Sequence, residues 1–409
     1  MDSSSKHRHF NPWSKKHKAV TKANQGGVKY SLSNSYAQPL TQQELIHLTT
    51  QRGDHQLVHE YNNHTLGYTA NGGSLDLRQQ ISQLYGPLIQ ASNILVFTGA
   101  QVALQTAAFA LASDCHSIVF SPGYQSTVMG PSLAGGNVTT VMLSAANGWQ
   151  VPIEDLVQAI QPGVTKYLVL NEPYNPAGTL MSPATQLRIK AIAQQYNIVV
   201  LSDEVYRLLE HDPNDRLPAM ADLYYHGISC VTLSKPWGGC GVTIGWLAFQ
   251  DLSIKQRLVD VQYFNTACPS RASELQALMT LKASDVILDK NLRIIRANLQ
   301  LLAQFMHRYE DLFEWVPPKA GAVAFIKFKG PLSSEELGEQ LAAANISMKP
   351  AYCFSDKVTD EIDYFRVGFG ERKMPHALAK LVEFVEARKE RWRRAGGGKE
   401  EEKEVKSRL

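Results

Sequence analysis

No apolar run in this 409-residue chain reaches the roughly 18 residues that a membrane-crossing helix needs, so no such helix is expected. Cysteine is sparse. The five, Cys115, Cys230, Cys240, Cys268 and Cys353, are widely scattered, odd in number and without a CxxC pair. That pattern reads as reduced thiols in a cytoplasmic protein rather than a disulfide framework or thiolate metal site. The twelve histidines show no metal-ligand spacing, so no metal is expected. An excess of one charge is also missing: 41 basic against 38 acidic residues leave a formal +3, much of it near the N-terminus, which is no electrostatic footprint for nucleic acid. Residues 1–24 are basic and serine-bearing but contain no apolar core, so they read as a polar arm rather than a secretory signal, with a transit peptide as the second reading.

What is present is a globular composition, 44% hydrophobic and 19% charged, in a chain long enough for a large domain and a smaller one. Short apolar runs alternate with helical patterns, as in a mostly parallel sheet covered by helices. Strands are expected at Asn93–Thr98, Ser117–Phe120, Val138–Leu143, Lys166–Asn171, Asn197–Ser202 and Ile228–Leu233. Helices are expected at Ala100–Ala112, Ile153–Ile160 and Thr185–Tyr196. After a long helix at about 288–309 the pattern becomes α+β, with strands at Ala322–Phe328, Ile346–Tyr352 and Tyr364–Phe369 between helices at Ser334–Ala344 and Pro375–Arg394.

Ligands of open α/β sheets bind outside the carboxyl ends of the strands, and polar residues gather there in this chain. Gly99-Ala100-Gln101 follows a strand and opens a helix, a junction whose free N–H groups suit a phosphate and which otherwise is an ordinary turn. In NEPYNPAG (171–178) two prolines and a glycine constrain a turn that holds Asn175 in place, where it can donate to a phenolate-like oxygen. In SDEVY (202–206) Asp203 stands at a strand end, either as a helix cap or as an acid needing a cationic partner; Tyr206 lies three residues on. Lys235 closes ISCVTLS, either as a snorkelling surface residue or as a desolvated amine able to form an imine.

Taken in order, these motifs resemble those of the fold-type I pyridoxal 5′-phosphate (PLP) enzymes, in the class I/II aminotransferase family, from roughly Tyr30 to Arg394. The resemblance implies an α/β fold: a large domain with a mostly parallel seven-stranded sheet and a smaller α+β C-terminal domain. It also implies boundaries: a flexible basic arm (1–28), a segment over the active site that packs on the small domain (29–60), the PLP-binding domain (61–285), the small domain (286–395) and a charged tail (396–409). Lys235 would form the Schiff base and move protons, Asp203 would pair with the pyridinium nitrogen, and Asn175 and Tyr206 would contact the ring's O3′. Tyr124, in SPGYQS, would stack on the ring, and Ala100, Gln101 and Thr232 would bind the phosphate. Tyr68, in LGYTANGGS, would reach a neighbouring subunit's phosphate, implying a homodimer. Arg366, in YFRVGFG, would grip the substrate carboxylate bidentately.

Two departures stand out. The family places an arginine eight residues after the lysine to grip the phosphate; here Thr243 stands between Gly241 and Gly245. The segment Pro236-Trp237-Gly238-Gly239 is also unusual, with Trp237 expected to pack rather than react. The resemblance implies a transaminase acting on an α-amino acid. Elimination, replacement or cyclisation on such a substrate is the alternative, and a catalytically inactive binding protein the third reading. No second-carboxylate signature is recognisable, and residues 30–43 are expected to line the substrate entrance without individual assignments.

Overall fold

The computed structural model describes residues 28–394; the basic arm, but for residue 28, and the charged tail lie outside the described residues. In chain order the strands are β1 (Tyr30–Ser31), β2 (Ile94–Phe97), β3 (His116–Ser121), β4 (Asn137–Met142), β5 (Thr165–Asn171), β6 (Val199–Asp203), β7 (Gly227–Thr232), β8 (Gly245–Phe249), β9 (Phe313–Trp315), β10 (Val323–Phe328), β11 (Ile346–Ser347), β12 (Lys349–Pro350) and β13 (Tyr364–Gly368).

Seven of these form one sheet in the order β2-β8-β7-β6-β5-β3-β4. β8 runs antiparallel to both neighbours, and the remaining pairings are parallel. Within this sheet β8 is the strand that the sequence reading leaves unassigned, because it begins at Gly245, the last residue of the loop read for phosphate contacts. The near-continuous apolar runs of β2, β7 and β8 are buried throughout, as expected where helices cover both faces. One face packs on helix Ala100–Leu111 through Phe97, Leu104 and Phe249, the other on helices such as Arg271–Lys282 through Val96, Trp246 and Leu278.

A four-stranded antiparallel sheet, β12-β13-β10-β9, makes the smaller domain. The run expected as one strand at 346–352 is broken into β11, β12 and a short 3₁₀ turn at Ala351–Cys353, because the chain leaves the pairing with β1 after Ser347 and joins β13 at Lys349. The long helix spans Ser284–Arg308, and its length joins two cores: Ile287 packs in the large domain while Ile295, Leu302 and Phe305 pack in the small one.

The N-terminal segment stitches across this junction. β1 pairs in parallel with β11 of the small domain. Residues 32–38 then run over β13 as a strap: Leu32 O accepts from Gly368 N at 2.6 Å, and Ala37 N donates to the Lys235 carbonyl at 3.0 Å. The close approach requires glycine, since a Cβ on Gly368 would lie 1.6 Å from Asn34 O and one on Gly370 would lie 2.1 Å from Tyr36 O. Gly368→Ala is therefore expected to displace the strap and lower stability by about 1–3 kcal/mol, as overpacking does. A urea-unfolding midpoint equal to that of the parent protein would contradict this contact.

Candidate active site

Adjacent strands of the large sheet end together. Asn171 of β5 stands in register with Asp203 of β6, and Asp203 with Cys230 of β7. The Asn171 side chain fixes the next turn: its Nδ2 donates to the Asp203 carbonyl at 2.8 Å and its Oδ1 accepts from Asn175 N at 2.7 Å. Asn175 is thereby held at the strand mouth, where its Oδ1 accepts from Arg366 Nη1 at 3.0 Å. Because a guanidinium can only donate, this contact orients the amide and leaves Asn175 Nδ2 as a donor toward the site.

Arg366 arrives from the small domain on β13. It is 3% exposed, its Nη2 donates to the Ser33 carbonyl of the strap at 3.0 Å, and its guanidinium lies 5.1 Å from the centre of the Phe354 ring. Its Nε has no acceptor, and neither has the hydroxyl of buried Tyr206. Both partners of the guanidinium are neutral oxygens, so its charge faces the site without a carboxylate.

Asp203 is 2% exposed and accepts only the Val205 N–H, at 3.3 Å. Burial pushes its carboxyl up to about 7, against the smaller opposing effects of that N–H and of Lys235. Lys235 is displaced in the opposite direction: desolvation brings its ammonium down to about 8, with Arg366 acting in the same sense. Its Nζ donates to Ser35 Oγ at 3.1 Å. Ser33 and Ser35 were not singled out in the sequence, because a polar strap carries no periodic signal; only its path over β13 gives these serines their places.

The turn at 99–101 lies beside this cluster. Gly99 (φ +93°) precedes helix Ala100–Leu111, whose first-turn N–H groups have no intrahelical carbonyl. Gln101 Oε1 accepts from Tyr124 Oη at 2.7 Å, so the expected ring-stacking and phosphate-binding residues touch one another. β8 starts against this turn: a Cβ on Gly245 would lie 2.5 Å from Ala100 N. Thr232 Oγ1 donates to the Ile244 carbonyl at 2.9 Å, tying the end of β7 to the same loop. Thr243 occupies the left-handed region (φ +54°) and its hydroxyl donates to the Val242 carbonyl at 2.8 Å. Its one hydroxyl proton is thus used locally. Trp237 is buried, lies tilted against Trp246 and donates to Ser284 Oγ at 2.7 Å, a packing role.

Tyr68 is placed elsewhere. It is 99% exposed and lines a separate cavity of about 570 Å³ with Arg271, Asp76 and Glu274, which includes none of the other candidate residues. The five cysteines are all free, and among the described residues no group of His, Cys, Asp and Glu could hold a metal and no helix is long and apolar enough to cross a membrane.

A protein of Methanocaldococcus jannaschii named "Probable aspartate aminotransferase" is 22% identical over 310 residues, 73% of this chain and 80% of its own. The crystal structure of a PLP-dependent aminotransferase from Streptococcus suis 89-1591 superposes with a TM-score of 0.82 at 26% identity, covering 90% of this chain and 97% of that one. The structure of a PLP-dependent cyclase shares the fold at a TM-score of 0.77 and 23% identity, over 88% of this chain and 93% of that one. The family model for aminotransferase class I and II matches residues 33–381, and the chain belongs to that family.

Proposed function

We propose that the strand-end cluster binds PLP and transaminates an α-amino acid through Lys235. The observation that carries this is a carboxylate, Asp203, buried without an ion pair beside a lysine whose desolvation favours the neutral amine. A protonated pyridine nitrogen would supply the missing cation. The remaining open donors fit the rest of the cofactor: Asn175 Nδ2 and the orphaned Tyr206 hydroxyl suit its phenolic oxygen, and the N–H groups of Ala100 and Gln101 its phosphate. Tyr124 would cover the ring, and Thr232 would hold the loop beside the phosphate.

When bound, PLP supplies an aldehyde that condenses with amines and a ring that accepts the electron pair left when a substrate proton departs. The protein's own groups do the rest. Arg366 would hold the substrate carboxylate through its open edge, fixing Cα before Lys235. Lys235 Nζ, neutral above about pH 8, would take the Cα proton and return it one position away. The strap, through Ser35, would keep that amine directed inward and shield it from water.

Elimination, replacement or cyclisation is the second reading, favoured by Thr243, whose hydroxyl is spent on Val242 and brings no charge to the phosphate. The inactive reading is disfavoured by the assembled Lys235, Asp203, Asn175 and Arg366. Homodimerisation is supported by Leu66 and Tyr68, 96% and 99% exposed on one loop beside the Arg271 cavity. In a dimer Tyr68 would reach the partner subunit's cofactor. The free thiols support a cytoplasmic setting.

Adding PLP to the apoprotein should produce a visible absorption band that Lys235→Ala abolishes. Because Lys235 is protonated below about 8, the rate of reconstitution should rise with pH, roughly tenfold per unit, and level off above that value. A rate independent of pH would remove Lys235 as the reacting amine. Product analysis separates the two chemistries: a 2-oxo acid with pyridoxamine phosphate supports transamination, and ammonia or a cyclised amino acid sinks it. Thr243→Arg should tighten PLP binding about tenfold by adding a charge-assisted contact; unchanged affinity would mean that the loop is remodelled around another donor.

A further inference from the structure

We propose that Trp149 is a positioning residue for substrate binding, a spacer between the two domains that sets Arg366 against Asn175. The inference rests on the reading of Arg366 as the carboxylate anchor and goes beyond it to what aims the guanidinium.

Trp149 belongs to the large domain, in the loop before helix Ile153–Ala159, and its backbone lies in the left-handed region (φ +61°). A bulky residue is unfavourable there, where glycine, asparagine and aspartate are the usual occupants. Such a conformation persists only where the surroundings fix it. Here the Trp149 N–H donates to the Ser144 carbonyl at 2.8 Å, and the residue is 2% exposed. The indole Nε1–H has no acceptor, so ring contacts rather than a polar bond hold the side chain.

Those contacts reach the carboxylate anchor from both sides. Phe325 on β10 stands directly opposite Arg366 on β13, and Tyr364 precedes Arg366 by two residues, so all three project from one face of the small sheet. The Trp149 ring meets that face: its centre lies 5.5 Å from that of Phe325 and 5.2 Å from that of Tyr364, edge-on to the latter. On its large-domain side it lies 6.4 Å from Tyr174, the neighbour of Asn175. Phe325 in turn packs edge-on to Phe354 at 5.6 Å, and the Phe354 ring carries the Arg366 guanidinium at 5.1 Å. The 3.0 Å bond from Arg366 Nη1 to Asn175 Oδ1 closes the circuit.

Close-packed aromatic rings do not compress, so the width of the indole fixes the gap that this bond spans. The far side of the Asn175 turn is fastened independently, where the Gly178 carbonyl accepts from the Lys319 and Ala320 N–H groups at 2.8 and 2.9 Å. Narrowing residue 149 therefore tilts the turn against β13 without separating the domains. A misplacement of about 1 Å at a substrate clamp can cost about a hundredfold in rate. The sequence does not mark Trp149, which stands in SAANGWQ outside the strand-end motifs and meets Phe325 and Tyr364 only through domain packing.

The test uses PLP-loaded protein and two reagents that attack the cofactor aldehyde through the same oxyamine group: aminooxyacetate, which carries a carboxylate, and methoxyamine, which does not. The readout is the rate at which each bleaches the PLP absorption band, normalised to its rate with free PLP. The parent protein should favour aminooxyacetate by at least about tenfold, the size of one good charged contact, and Arg366→Ala should remove that preference. Trp149→Leu should remove most of it by slowing aminooxyacetate alone, with PLP affinity unchanged. Trp149→Phe, which keeps a ring and loses only the unpaired N–H, should retain it. If Trp149→Leu does not fold, Tyr364→Leu removes the same contact from the other side and decides the matter. A preference left intact by Trp149→Leu, equal slowing of both reagents, or loss of PLP from that variant overturns the proposal. A parent protein without preference, or a preference that survives Arg366→Ala, overturns the Arg366 reading and this inference with it.

Discussion

The buried guanidinium of Arg366 is the contact on which the proposed site depends. It stands on β13 of the small domain, donates to Asn175 in the turn after β5 of the large domain, and donates again to the Ser33 carbonyl of the N-terminal strap. Three parts of the chain that are far apart in sequence are thereby brought to one charge. Because both acceptors are neutral, they position the guanidinium without cancelling it. A carboxylate partner would have stabilised the apoprotein more and closed the site to a substrate acid.

The same logic applies to the other buried ionisable groups. Asp203 and Lys235 could in principle pair, yet Lys235 donates to Ser35 and Asp203 accepts only a backbone N–H. Desolvation draws their pKa values toward each other, to about 7 and about 8. Such groups are expensive to bury and are held there by the rigid strand ends around them. Glu204, the next residue, contrasts with Asp203. It turns away from the site, where Met220 N and Ser229 Oγ donate to its Oε1 at 2.7 and 2.9 Å. Burial raises it also to about 7, but its contacts are structural: they fasten helix Met220–Leu223 beneath the sheet.

Much of the fold was legible because its strands are long apolar runs punctuated by glycine and proline. Six strands of the large sheet lie within a residue or two of their expected places, and Asp203, Asn175 and Lys235 sit where strand-end reasoning puts them. β8 was not legible, since GWLAF follows a glycine-rich loop that invited a reading as phosphate contacts. The break of the 346–352 run into β11 and β12 was not legible either, because it comes from a change of partner strand, β1 for β11 and β13 for β12, that carries no local signal.

The division has a physical origin. Strand ends, turn residues and the order of polar groups are local properties, set by periodicity and by the backbone limits of glycine and proline, so the sequence alone placed Asp203, Asn175 and Lys235 at strand ends and pointed to the family. Which groups face one another across domains was decided by tertiary structure. The threading of residues 32–38 over Gly368 and Gly370, the contact of Ser35 with Lys235, and the opposition of Lys349 to Arg366 all depend on packing between segments hundreds of residues apart or on the register of a short sheet. Thr243 belongs to both levels: the sequence marks the missing arginine, while the left-handed turn and the bond to Val242 show how its hydroxyl is used.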